Sequence, residues 1–151
     1  MMTLIVDFAN LLLASLLVGA TFGVWLVFNP AGLGANGYVA LQQQGIRTLN
    51  VAMPALGAAT ALVTIIFAVL ARDDRTRFLL LLAAAVCFVS AGLITRLLNQ
   101  PINAIVMTWA VDAPPTNWTH LRDQWWQWHL MRLVAGLAAL SLLIAATLRR
   151  G

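Results

Sequence analysis

Charge is scarce in this sequence, and two of the charged residue types are missing. All nine basic residues are arginine and all five acids are aspartate, so the chain has neither lysine nor glutamate. Charged residues form 9% of the 151 residues and hydrophobic residues 62%, with a mean hydropathy of +0.87. Soluble domains carry about 25% charged residues. The composition therefore excludes a soluble globular domain and indicates an integral membrane protein.

Cysteine and basic clusters are also scarce. The single cysteine, Cys87, lies in an apolar run, which excludes an internal disulfide and a thiolate metal cluster. We interpret Cys87 as a packed side chain. The net charge is only +4, and no stripe of basic residues is present to contact phosphates. We therefore expect no nucleic-acid partner.

Four apolar segments are each long enough to cross a bilayer core of about 30 Å. They cover residues 4–28, 51–71, 78–98 and 128–148. The predicted fold is all-α: a four-transmembrane-helix bundle that forms one domain over residues 1–151. A signal peptide is the alternative for the first segment. Asp7 and Asn10 interrupt its start and no basic residue precedes it, so we predict a retained helix, with Asp7 near the headgroups.

Two polar stretches connect the apolar segments. Asn29 and Pro30 end the first helix, because a residue that precedes proline is disfavoured in the α conformation. Residues 38–49 are predicted to form a short helix at the interface or over the bundle. Most of its polar side is expected to face solvent, and that side comprises Gln42, Gln43, Gln44 and Arg47. The second stretch, between the third and fourth spans, is a tryptophan-rich loop.

The arginines predict an orientation. Four spans place both termini and the turn at residues 72–77 on one side, which carries Arg72, Arg75, Arg77, Arg149 and Arg150. The positive-inside rule makes that side cytoplasmic. We therefore expect a multi-pass protein of the plasma membrane, with the polar residues described next near the non-cytoplasmic leaflet.

Residues capable of chemistry concentrate between Asn99 and Arg132, a stretch that holds both histidines and five of the six tryptophans. Spacings of three, four and three residues place one set on a single helix face: Arg122, Trp125, His129 and Arg132. A polar stripe in lipid must turn inward. Snorkelling to the headgroups explains Arg132 alone, but not the whole face.

The third span supplies a second polar face. Arg96, Asn99 and Asn103 follow spacings of three and four residues, at the same membrane side as the start of the fourth span. Pro101 interrupts the helix there and is expected to bend it. A broken helix at membrane depth is tolerated where it lines a cavity or is buried in protein. The two faces therefore predict one pocket with surplus positive charge, which favours an anion, an enolate or a phenolate.

His129 is the candidate general base, because imidazole exchanges protons near neutral pH. Nearby arginines would favour its neutral form. Trp109, Trp126 and Trp128 are assigned to the aromatic belt of the interface. Trp125 shares the His129 face and is expected to stack on a flat substrate. His120 and His129 lack a third partner at a metal-binding spacing, so the prediction is no metal and no haem.

These residues resemble the small membrane proteins grouped as anthrone oxygenase-like. The resemblance rests on Asn99-x-Pro101-x-Asn103, a tryptophan-containing loop, and Arg122-x-x-Trp125-x-x-x-His129-x-x-Arg132. It implies a four-helix membrane protein, some relatives of which oxidise anthrones to anthraquinones with O₂ and without a metal or organic cofactor.

The resemblance also implies roles. His129 would remove the acidic C–H proton, and arginines would stabilise the oxyanion, namely Arg122, Arg132 and Arg96. Asn99 and Asn103 would orient oxygen atoms beside Pro101, and Trp125 would stack on the rings.

The leading hypothesis is a membrane oxidoreductase that acts on a small aromatic, phenolic or quinol-like substrate with O₂. A non-catalytic accessory subunit or small-molecule-binding protein is the alternative, so whether the chain is an enzyme stays open. A transporter ranks last, because paired acids and an internal repeat are missing. The partners expected are the bilayer and a hydrophobic aromatic molecule, and homo-oligomers stay open. The discriminating feature is a cavity lined jointly by Asn99, Asn103, Trp125, His129 and Arg132.

Overall fold

The computed structural model describes the backbone of residues 2–149 and the side chains of residues 5–149. Arg150, one of the arginines behind the predicted orientation, lies outside them. The described chain contains helices and no strand: α1 (Met2–Val27), α2 (Ala35–Leu49), α3 (Ala52–Leu70), α4 (Arg75–Ile94), α5 (Gln100–Val106) and α6 (Trp118–Leu148). A 3₁₀ turn, Pro30–Gly32, precedes α2, and a π turn, Thr95–Asn99, joins α4 to α5.

Four helical stretches are long and apolar enough to cross a membrane. They are Ile5–Gly32, Ala52–Leu70, Arg75–Val106 and Trp118–Leu148. The predicted all-helical membrane fold with four spanning helices is therefore confirmed.

The third and fourth membrane-spanning helices are longer than the apolar sequence segments from which they were predicted. The third spanning helix continues past Pro101, because the π turn before it accommodates the proline. The N–H of Gln100 donates to the carbonyl of Thr95, and Pro101 occupies the first turn of α5, where its missing N–H costs little. The fourth helix begins at Trp118 rather than at residue 128, so its polar first turns stand ahead of the apolar part.

The four long helices form a ring. α1 packs against α3 and α6, and α4 packs against the same two helices, so α1 and α4 occupy opposite corners. Small side chains such as Ala14, Ala139 and Ala146 are fully buried, which lets the backbones approach closely where no hydrophobic effect drives helix association. Many leucines, isoleucines and valines point outward, as lipid-facing positions require.

The end of the bundle at residues 72–77 contains an ion pair between a buried aspartate and a partly buried arginine, which we call the Asp7–Arg77 pair. Nη2 of Arg77 lies 2.8 Å from Oδ1 of Asp7, and its guanidinium lies 4.7 Å from the ring centroid of Phe67. The pair links α1 to α4 across the ring. Asp7 is 3% exposed, so its carboxylate faces the inside of the bundle and is paired with an arginine; its predicted position near the headgroups stays a prediction.

The polar loop after the first span folds back onto the bundle. One face of α2 is buried, comprising Tyr38, Val39, Gln42, Gln43 and Ile46. Nε2 of Gln43 donates to the carbonyls of Val106 and Trp109, at 3.0 and 2.9 Å, and so holds α2 against the turn that follows α5. The expectation that Gln42 and Gln43 face solvent is therefore wrong, whereas Gln44 and Arg47 are exposed.

Candidate functional site

His129 lies in the interior of the bundle on α6, with none of its surface exposed. The rings of Trp125 and Trp126 both stack on the imidazole at centroid distances of 5.3 Å, with interplanar angles of 7° and 15°. The helix explains this contact, because residues three and four positions apart share a face. Trp126, assigned from the sequence to the aromatic belt, thus also packs against the candidate base.

Arg132 contacts His129 directly. Its Nη2 and Nε lie 2.9 and 3.3 Å from Nδ1 of His129, and its Nη1 lies 3.5 Å from Oγ1 of Thr95. A guanidinium only donates hydrogen bonds, so Nδ1 must be the acceptor. The neutral imidazole then carries its proton on Nε2, a buried atom without a hydrogen-bond partner among the described residues.

The charge of Arg132 is not balanced by an acid. Between described side chains, the ion pairs are those of Arg77 with Asp7 and of Arg122 with Asp123. The contacts of Arg132 are instead neutral: an imidazole, a hydroxyl, and the ring of Trp125 at 5.7 Å from the guanidinium carbon. A half-buried cation with neutral partners attracts an anion more strongly than a paired one does.

Asn103 on α5 connects three parts of the site. Its Oδ1 accepts hydrogen bonds from Nε1 of Trp125 at 2.8 Å and from Nε2 of Gln42 at 3.3 Å. Its Nδ2 donates to Oδ1 of Asn50 at 3.0 Å. The amide therefore fixes the Trp125 indole and ties α2 to the bundle.

A chamber of about 560 Å³ lies beside these residues; we call it the wide chamber. Polar groups line one part of it, namely Gln42, Asn50, Asn103 and Arg132, and the Trp125 ring lines it too. Its apolar wall includes Val24, Phe28, Met53 and Pro54. Phe28 meets Trp125 edge-to-face at 5.5 Å between ring centroids. Both the size and the mixture of an apolar wall with a few convergent polar groups are typical of small-molecule sites.

A second chamber, of about 340 Å³, adjoins the first and is called the narrow chamber. The two share five lining residues: Thr21, Met53, Pro54, Thr95 and Arg132. The rest of the narrow chamber is mostly apolar, with Leu17 and Phe88 beside small residues on α3, α4 and α6. Arg132 therefore stands where the chambers meet.

The predicted site residues separate into three groups. Asn103, Trp125 and Arg132 line the wide chamber. His129 lies behind Arg132, and Asn99 donates from Nδ2 to the backbone carbonyl of Trp125 at 3.1 Å, so neither lines a chamber. Of the five residues expected to line one cavity together, three do so.

The remaining predicted residues lie further from Arg132. Arg96 lines the narrow chamber and donates to Oε1 of Gln100 at 2.7 Å. Arg122 pairs with Asp123 at 2.8 Å and lies 4.8 Å from the Trp118 ring centroid, outside both chambers. Pro101 is exposed.

Sequence reasoning missed three contributors: Gln42, Asn50 and Thr95. A signal for Gln42 was present, because Tyr38, Gln42 and Ile46 recur every four residues along one face of α2. Asn50 and Thr95 carry no comparable pattern. As for metals, no three His, Cys, Asp or Glu side chains converge within the described ranges.

The anthrone oxygenase family model matches residues 44–142 of this chain. The chain belongs to the anthrone oxygenase family. The predicted resemblance is therefore confirmed. The matched range contains Asn50, Asn103, Trp125 and Arg132, which line the wide chamber, and His129 behind them. No curated protein and no solved structure matches the chain.

Proposed function

We propose that this protein is a membrane-embedded oxidoreductase that oxidises a small, flat aromatic molecule with O₂ in the wide chamber. The observation that carries the proposal is Arg132, a cation that pairs with no acid among the described side chains and faces a chamber walled by Trp125 and Phe28. Membership of the anthrone oxygenase family suggests anthrone-like ketones with an acidic C–H bond as the substrate class.

Substrate binding would use both the aromatic and the polar lining of the wide chamber. The aromatic rings of the substrate would lie against Trp125 and Phe28, while its ketone oxygen receives hydrogen bonds from Arg132. Loss of the C–H proton turns that oxygen into an oxyanion. A prepositioned guanidinium stabilises the developing charge, and more strongly in a low-dielectric interior than in water.

His129 is the proposed base, acting at Nδ1. In the ligand-free site that atom accepts a hydrogen bond from Arg132. An oxyanion is a stronger acceptor than a neutral imidazole, so the substrate would draw the guanidinium away from Nδ1. The freed lone pair then takes the C–H proton. Trp125 and Trp126, stacked on the ring, would keep the imidazole in place.

The electrons and atoms balance without another reductant. The carbanion transfers its electron pair to O₂ in single-electron steps, and a C–O bond forms to give a peroxide anion. The proton held on His129 returns to give the hydroperoxide. Loss of water, which removes the second hydrogen from the same carbon, leaves the new carbonyl of the quinone.

The other predicted residues are proposed to act through position. Asn103 holds the indole of Trp125, and Asn99 fastens the backbone of α6 beside it. Arg96 adds positive charge to the narrow chamber. Arg122, which lies over Trp118, is proposed to order the start of α6 rather than to contact the reacting atoms. Pro101, exposed beyond the π turn, would shape the helix.

The test compares two substitutions at His129 by oxygen uptake with a simple anthrone. His129→Asn places an amide oxygen near the position of Nδ1, so Arg132 keeps an acceptor, but the amide cannot take a proton at neutral pH. We expect both His129→Asn and His129→Ala to lose about 100-fold or more in rate, with anthrone binding retained in His129→Asn.

A rate for His129→Asn that equals wild type would show that His129 only positions Arg132. Oxygen uptake by the wild-type protein no faster than in its absence would instead favour the second candidate, a small-molecule-binding protein or accessory subunit. One observation supports this candidate: Nδ1 is already occupied by Arg132, and the imidazole does not line a chamber.

The orientation is part of the proposal. Arg72 and Arg75 are exposed at the end of the bundle that also holds the Asp7–Arg77 pair, opposite the chambers. Arginine on that side supports cytoplasmic termini, and a site near the non-cytoplasmic leaflet of the plasma membrane. Accessibility of cysteines introduced at exposed residues 73 and 112 to an impermeant thiol reagent would test it.

A further inference from the structure

The narrow chamber has a composition that the proposed reaction does not require. Beyond its mouth at Arg96, Gln100 and Arg132 it is apolar, and small residues form much of its wall, including Gly57, Ala58 and Gly92. Large side chains at these positions would fill it. Ala58, Gly92 and Leu93 are exposed, so the chamber is open between α3 and α4 on the side that faces lipid, and its apolar lining suits a hydrocarbon group.

The position of Arg132 relates this space to the substrate. The arginine belongs to the linings of both chambers, together with Thr21, Met53, Pro54 and Thr95. A substrate whose oxygen meets Arg132 from the wide chamber therefore has the opening of the narrow chamber next to that oxygen. A chain attached to the ring carbon beside the oxygen would enter it.

We infer that the natural substrate is an aromatic amphiphile, with its ring system in the wide chamber and an unbranched hydrocarbon chain in the narrow one. This inference rests on the proposed function and specifies its substrate class. The amides of Gln42, Asn50 and Asn103 lie on the wide side, so the polar part of the ligand is fixed there and the chain must point the other way.

Two separate readouts test the inference. The probe is a hydroxyanthraquinone, which cannot be oxidised at the ketone carbons, with an alkyl chain beside the hydroxyl and a diazirine at the chain end. Deprotonation of the hydroxyl next to Arg132 shifts its visible absorbance to longer wavelength, which reports ring binding. Illumination attaches the chain end to the protein, and peptide mass spectrometry locates it.

We expect labelling on the chamber-lining residues of α3 and α4, within residues 54–61 and 88–93, and loss of that labelling in excess hydroxyanthraquinone without a chain. Gly57→Leu should lose it, because a Cβ at Gly57 already meets Cδ1 of Leu17 at 3.9 Å and the larger side chain extends into the chamber. Gly92→Leu repeats the test from the opposite wall. Gly19→Leu is the matched control: its Cβ meets nothing within 4 Å and it lines neither chamber.

The outcomes distinguish the two proposals. An absorbance shift that depends on Arg132, with labelling only on lipid-facing residues, would overturn the inference and leave the proposed function standing. Labelling unchanged in both Gly57→Leu and Gly92→Leu would do the same. No absorbance shift with either compound would overturn the proposed function together with the inference. Labelling of the same peptides by a phosphatidylglycerol diazirine alone would identify the occupant as lipid, against the inference.

Discussion

Each end of the bundle holds a partly buried arginine, and the two arginines differ in what balances their charge. At one end Arg77 meets Asp7 at 2.8 Å and covers the Phe67 ring. At the other end Arg132 meets the neutral imidazole of His129 and borders both chambers. An arginine paired with an aspartate stabilises the packing around it. An arginine that has only neutral contacts and borders a chamber is available to bind an anionic ligand. The contrast separates an arginine that stabilises the fold from one that is proposed to take part in the chemistry.

The largest expected effect is a loss of stability on removal of the Asp7–Arg77 pair. Asp7→Ala leaves Arg77 buried without its carboxylate, and breaking a buried pair in this way costs about 3–5 kcal/mol. We expect the free energy of unfolding in detergent to fall by that amount, while anthrone oxidation per folded molecule stays near wild type. Asp7→Asn keeps the shape and an acceptor oxygen, so its loss should be smaller. Equal stability of all three proteins would contradict a structural role for the pair.

The next effect is on chemistry, at the unmatched end. Arg132→Gln removes the charge proposed to stabilise the oxyanion, and loss of one such donor costs about 100- to 1,000-fold in rate. Arg132→Lys should recover part of it, because lysine keeps the charge but cannot form the forked contact. Arg47→Gln, at an exposed residue that lines neither chamber, controls for net charge. Stopped-flow quinone formation measures all three, and activity in Arg132→Gln equal to the control would remove Arg132 from the site.

The smallest effect concerns Tyr38, the only tyrosine in the chain. Burial is the main cause that raises the pKa of its phenol above the ordinary value, with Arg122 opposing the shift. A pKa raised in the folded state gives stability that is complete below the unfolded value of about 10 and is lost as the pH rises above it. Ultraviolet titration should therefore show no tyrosinate while the protein stays folded. Tyrosinate near pH 10 in folded protein would place Tyr38 in contact with solvent.

The sequence predicted what depends on composition and on spacing along one helix. Scarce charge and four apolar runs indicated the four-span fold, and the interval of three residues between His129 and Arg132 predicted that they share a face. Contacts distant in sequence were not accessible to this reasoning. Arg77 lies 70 positions from Asp7, and Gln43 lies 63 positions from the carbonyl it satisfies at Val106. The change from polar to apolar residues also predicted the wrong start for α6, because the helix extends through polar residues before its apolar part.

The π turn at Thr95–Asn99 has a consequence for how the site can change by mutation. A π turn holds one residue more than an α turn, and each residue rotates a helix by about 100°. Deleting one residue within it, Leu97 or Leu98, would restore a regular helix and carry Asn103 away from the Trp125 indole that it contacts at 2.8 Å. A loss of one residue, with every side chain of the site still encoded, would thus dismantle the arrangement around Trp125. The site therefore depends on the number of residues in this turn as well as on the identity of the residues around Trp125.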